Sequence, residues 1–203
     1  MILASLKPYY YYLIGEKKKN IEVRKSALKD LPQDIVFYMS KDEKSFAKIP
    51  KEFQAKYREH FGKVGMKVVC DKVDEYNFHE GLTEFNSMGL PSRIYGSYLI
   101  FTDDYKKMCL SYDDVKAYGN RKTIYGWYLD NVEVYDKPKE LSEFTSTRVC
   151  GNYKDLPAYI HVGCNTCKYS YTINCMIKCR IGGRKPLTRP PQSYMQVEEL
   201  KEV

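Results

Sequence analysis

The chain has 203 residues and a net charge of +7, from 33 Lys plus Arg against 26 Asp plus Glu, with 43% hydrophobic and 29% charged residues. This balance is that of a globular protein and excludes a disordered or fibrous one. No window approaches the roughly 20 apolar residues of a membrane-spanning helix, and the N-terminus lacks the pattern of a secretory signal. The expectation is a single domain over residues 1–203, in the cytoplasm, with no membrane partner. Its 20 tyrosines, interleaved with basic residues, suit a polyanionic partner such as nucleic acid.

Taken in order, Met1 to Lys7 (MILASLK) reads as a buried strand bounded by Pro8. Tyr9 to Ile14 forms a short helix, with Pro8 suited to a first helical position and Gly15 to its end. Four consecutive tyrosines would point all round that helix, so some pack in the core and some face solvent. Asp34 to Tyr38 (DIVFY) is a second strand. Phe53, Tyr57 and Phe61 recur at steps of four and predict one amphipathic helix over 44–61. Val64 to Val69 is a third strand, followed by a long polar loop or insertion over 71–91. Tyr98 to Thr102 is a fourth strand.

Ser111 with Asp114 predicts a capped helix running to about Tyr118, with Gly119 as its stop. Ile124 to Tyr135 is a long or bent strand with Gly126 at a bulge or close approach, and Trp127 is expected in the core. Pro138 opens a helical turn through Phe144.

The stretch Lys17 to Lys25 (KKKNIEVRK) sets a basic run against a strand in which Glu22 and Arg24, two apart, share a face. Such a pair can form an ion pair closing one end of a barrel. Alternatively, Lys17, Lys18, Lys19, Arg24 and Lys25 contact nucleic acid, while Glu22 accepts from an exocyclic amine or acts as a base.

A second cluster is Cys164-x2-Cys167-x7-Cys175-x3-Cys179, four of the seven cysteines within sixteen positions. The two close pairs can bring four thiolates to a tetrahedron, which predicts a structural zinc stapling a Cys-rich insertion over 145–186. Cys150 and His161 are spare ligands, and reduced, unliganded thiols are the alternative. Cys70 and Cys109 read as core residues. His60, His79 and His161 form no triad spacing, and no glycine-rich phosphate loop is present.

The order of parts, with Tyr135 to Phe144 (YDKPKELSEF) and Leu187 to Tyr194 (LTRPPQSY), resembles the ASCH domain family of the PUA-like superfamily, in its bacterial and phage type. The resemblance implies an α+β fold: a small mixed β-barrel with flanking helices and the Cys-rich insertion before the C-terminal strand. It also implies a basic cleft for RNA or a modified nucleoside. Gly15, Lys19, Glu22 and Arg24 fill the family's motif, with Lys17 and Lys18 competing for the lysine place because the gap after Gly15 is long. The functional expectation is an RNA or nucleic-acid binding module, with a regulatory role open. The alternative is an enzyme on the same cleft, a ribonuclease or an amidohydrolase of a modified nucleoside, using Lys19 and Glu22. Hydrolysis requires a partner carboxylate; the strand Val64 to Val69 supplies none, and the nearest acids are Asp71, Asp74 and Glu75.

Overall fold

The structure is a computed structural model and describes residues 1–76, 102–120, 123–146 and 187–199. Among the described residues, seven strands form one mixed sheet. They are β1 (Ile2–Leu6), β2 (Ile21–Arg24), β3 (Gln33–Met39), β4 (Val64–Tyr76), β5 (Ile124–Lys139), β6 (Phe144–Ser146) and β7 (Tyr194–Glu199), in the spatial order β2-β5-β4-β3-β1-β7-β6. β1 pairs with β3 in parallel and with β7 in antiparallel fashion. Among the described residues the backbone ladder ends at β2 on one side and β6 on the other, so the sheet is open and the expected closed barrel is corrected. The ends nevertheless meet through side chains. Trp127 of β5 packs edge-on against Tyr194 of β7 at 5.3 Å, and Tyr194 Oη donates to the Ala27 carbonyl at 3.0 Å.

The helix after β1 is α1 (Pro8–Gly15), with Pro8 at its start. It is apolar nearly all round, as befits a helix buried on several sides. Tyr11 and Tyr12 are fully buried, whereas Tyr9 and Tyr10 are half-buried. Tyr12 meets Tyr57 and Phe53 at 5.6 and 5.3 Å, aromatic contacts that anchor α1.

The helix expected over 44–61 is two, α2 (Glu43–Phe46) and α3 (Lys51–Arg58). Pro50, which cannot donate an intrahelical hydrogen bond, stands at the N-cap of the second. β4 continues to Tyr76, because Lys72–Tyr76 pairs with β5 where a loop was expected. The rest of that loop and most of the strand expected at 98–102 lie outside the described residues, and Thr102 itself begins α4 (Thr102–Met108). α5 (Tyr112–Gly119) carries the full Ser111–Asp114 capping box, and its stop is Asn120, at φ 48°. Pro138 belongs to the end of β5, and the turn after it is confined to Leu141–Glu143.

Gly126 is a close approach: a Cβ there would stand 2.7 Å from the Tyr76 ring and 2.9 Å from Ile21. Among the described residues, no helix is long and apolar enough to cross a membrane.

His60 is buried beside Tyr11, its Nδ1 3.0 Å from the phenol oxygen. Burial pushes its pKa below the ordinary imidazole value. Folding therefore favours the neutral ring, a contribution complete above the unfolded value of about 6.5 and lost as pH falls from there toward the lower folded value. The melting temperature should fall between about pH 7 and about pH 5, and fall less in His60→Gln. Identical pH slopes in the two proteins would refute the assignment.

Candidate nucleic-acid interface

The turn after α1 decides which of the three lysines enters the fold. Lys17 takes a left-handed conformation at φ 55°, and the amides of Lys18 and Lys19 both return to the Leu13 carbonyl, at 2.8 and 3.0 Å. This reversal closes the helix end in the manner of a C-terminal cap. It leaves Lys17 and Lys18 exposed, with Lys18 Nζ donating to Tyr12 Oη at 2.7 Å, and drives Lys19 inward until its side chain is 1% exposed. Lys25 is also exposed, its ammonium 5.0 Å from the centre of the Tyr118 ring.

Lys19 Nζ donates to the Met108 carbonyl at 2.6 Å and to the Ile21 carbonyl at 2.7 Å, and lies 3.4 Å from Glu22 Oε2. Met108 ends α4, where the helix dipole favours a cation. Burial lowers the Lys19 pKa, and the neighbouring Glu22 opposes that shift. The two carbonyls each require an N–H, and the third position of the nitrogen faces a carboxylate, which a proton suits and a lone pair does not. The geometry is that of an ammonium with its donors in use.

Glu22 Oε1 lies 3.1 Å from Arg24 Nε, and Glu22 and Arg24 are both buried. The Arg24 guanidinium reaches across the gap between the sheet ends. Nη2 donates to the Ser5 carbonyl of β1 at 2.7 Å and Nη1 to the Ser193 carbonyl just before β7 at 3.2 Å. It also stands 5.6 Å from the centre of the buried Trp127 ring, a cation–π distance. Trp127 is a core residue, its indole N–H donating to Ser26 at 3.1 Å. The ion-pair reading of Glu22 and Arg24 thus describes their geometry: the pair ties the sheet ends together where the backbone does not.

Lys19, Glu22 and Arg24 line a cavity of about 480 Å³, shared with Ser5, Lys7, Tyr10, Asp114, Tyr118 and Gln192 among others. Tyr10 and Tyr118 both have raised pKa values, chiefly because the surrounding protein partly removes their hydroxyls from water, so both are neutral hydroxyl-bearing walls. Asp71, Asp74 and Glu75 are absent from this lining; Asp74 instead binds Lys72 and Tyr128 on β4 and β5.

The second carboxylate at the cavity is Asp114, which the sequence presents only as a helix cap. Its Oδ2 accepts from the Ser111 hydroxyl at 2.6 Å and the Ser111 amide at 3.1 Å. Tyr10, Tyr118 and Gln192 also line the cavity, and no motif in the sequence marks them for it. The run of tyrosines hides Tyr10, and Gln192 lies within the LTRPPQSY segment, whose Pro191 carbonyl accepts from Ser5 Oγ at 2.9 Å.

Cys150, His161, Cys164, Cys167, Cys175 and Cys179 lie outside the described residues. Among the described residues no group of three or more His, Cys, Asp or Glu is placed to hold a metal. Cys70 is buried in β4, and Cys109 follows α4 with its thiol donating to the Lys18 carbonyl at 3.1 Å.

No family profile and no curated protein matches this sequence. Among solved structures, the chain is similar to the ASCH protein of Zymomonas mobilis, at 13% identity and TM-score 0.41 over 99% of this chain and 87% of that one. Two single-substitution mutants of that protein give 13% and 14% identity and TM-scores of 0.47 and 0.44. They cover 99% and 69% of this chain and 88% and 75% of theirs.

Replacing Arg24 tests its place at the seam. Arg24→Ala strands Glu22 and two carbonyls and should lower stability by about 3–5 kcal/mol. Arg24→Lys keeps the charge but loses the planar fork and should cost about 1–3 kcal/mol. Urea denaturation measures both, and losses below about 0.5 kcal/mol, the range of neutral surface changes, would contradict the role.

Proposed function

We infer that this protein is a nucleic-acid reader of the ASCH/PUA-like kind, taking an unpaired RNA base or a nucleoside into the cavity on Lys19, Glu22 and Arg24. One observation carries the reading. The cavity joins a fixed cation–carboxylate–cation floor to two tyrosine side chains, Tyr10 and Tyr118, at its walls. Single-stranded RNA is recognised by stacking splayed bases on aromatic rings and hydrogen-bonding their edges. A volume of about 480 Å³ falls in the range of small-ligand sites. Exposed Lys7 at the cavity and Lys25 beside Tyr118 supply cations for the phosphates that accompany such a base. The resemblance carried by the YDKPKELSEF and LTRPPQSY segments points the same way.

Binding is favoured over hydrolysis because Lys19 has no lone pair to offer: its nitrogen is committed to two carbonyls and a carboxylate. Asp114 is likewise engaged as a helix cap. Lys19 serves here as a fixed charge that positions Glu22.

Fluorescence anisotropy with a labelled single-stranded RNA of mixed sequence tests the reading at low salt. Tyr10→Ala and Tyr118→Ala should each weaken binding by about 1–3 kcal/mol, with phenylalanine at either site retaining most of it. Lys7→Ala should flatten the salt dependence by about one unit of slope. A wild-type protein that binds no RNA at low salt would overturn the proposal. RNA turnover abolished by Glu22→Gln with affinity intact would instead favour the enzyme.

A further inference from the structure

Within the cavity Glu22 has unused recognition capacity. Its side chain is nine-tenths buried, at 10% exposure. Both flanking cations are close, Lys19 Nζ at 3.4 Å from Oε2 and Arg24 Nε at 3.1 Å from Oε1. The Lys19 contact is longer than that cation's two hydrogen bonds to carbonyls, at 2.7 and 2.6 Å, and Arg24 Nε–H is buried without an aligned acceptor. Among the described residues, these two cations are the partners of the Glu22 oxygens. Buried acceptors are normally filled, and Glu22 lines the cavity.

A carboxylate has about four acceptor positions, two on each oxygen. With one cation beside each oxygen, one position per oxygen remains, and together they form a two-pronged acceptor like that used for bidentate partners. The complementary ligand edge carries two adjacent N–H donors. Guanine offers that edge, with N1–H beside the N2 amino group. Adenine and cytosine place a ring-nitrogen lone pair beside their amino group, which would face the second oxygen and repel it. Uracil has one N–H between two carbonyls, which repel it likewise. Unpaired lone pairs set against a fixed carboxylate disfavour the wrong bases as much as paired donors favour the right one.

The geometry points to selection of guanine: Glu22, held by Lys19 and Arg24, accepts the N1–H and N2–H donors of a guanine base stacked at Tyr10 or Tyr118. This deepens the reading of the cavity as a nucleic-acid site and rests on it. Exposed Tyr118 and half-buried Tyr10 place the base plane at the cavity wall, while Glu22 reads its edge from the floor.

Calorimetric titration of the wild-type protein with GMP, IMP, AMP, CMP and UMP tests the assignment. IMP differs from GMP at the base only in lacking the N2 amino group. GMP should bind at least about tenfold more tightly than IMP and than the other three, since each loses a hydrogen bond to a charged group. In Glu22→Gln the GMP preference over IMP should shrink to within about threefold. If that variant does not fold, the wild-type series alone decides. Equal affinities for GMP and IMP, or tighter binding of CMP, AMP or UMP, would overturn guanine selection while leaving RNA binding intact. Binding of neither mononucleotides nor mixed-sequence RNA would overturn both.

Discussion

The structure depends on one guanidinium. Arg24 stands at the end of the four-residue strand β2 and donates to carbonyls of β1 and of the segment entering β7, which lie near the far side of the sheet order. The strands curl until these ends approach, but no backbone ladder joins them among the described residues. A planar fork with five donors suits that gap because it can serve two peptide oxygens on one side and a carboxylate on another. The Tyr194 hydroxyl on Ala27 and the Trp127–Tyr194 contact reinforce the same seam. Across this seam the described residues are therefore joined by side chains and not by a backbone ladder.

Burying a row of three charges is costly unless each is answered. Here the surplus positive charge is answered by backbone: Lys19 by Ile21 and Met108, Arg24 by Ser5 and Ser193. The arrangement immobilises Glu22 between two cations without exhausting its acceptors. Such a group is preorganised, since little side-chain freedom remains to be lost when a donor arrives. It also separates roles within the cavity. The floor contributes fixed charge, and the walls contributed by α1 and α5 contribute aromatic surface.

The helix α1 shows how a low-complexity run divides its work. In Tyr9–Tyr12 the residues are chemically alike, and position around the helix sorts them: Tyr11 turns to His60, Tyr12 to Phe53 and Tyr57, and Tyr10 to the cavity. Nothing in the composition of the run distinguishes Tyr10. The distinction comes from the direction in which α1 leaves β1 and from the elements it meets.

Patterns that act over a few residues were legible in the amino-acid sequence. An apolar segment bounded by Pro8 located β1, β-branched and aromatic residues located β3, Pro8 opened α1, the Ser111–Asp114 box opened α5, and the two-residue step put Glu22 and Arg24 on one face. Each is governed by backbone geometry within a turn or a strand. The helix break at Pro50 obeys the same local chemistry, although the four-residue spacing of Phe53, Tyr57 and Phe61 masks it.

Tertiary structure alone decided the rest. It chose Lys19 from three identical neighbours through the left-handed turn at Lys17, and it extended β4 to Tyr76 by pairing with a strand some fifty residues away. It also brought Asp114, Tyr118 and Gln192 to the same cavity as Lys19, Glu22 and Arg24. The physical reason is range. A cap or a strand period is fixed by neighbours in the chain, whereas a cavity is fixed by which carbonyls and rings the folded sheet brings within reach of a buried charge.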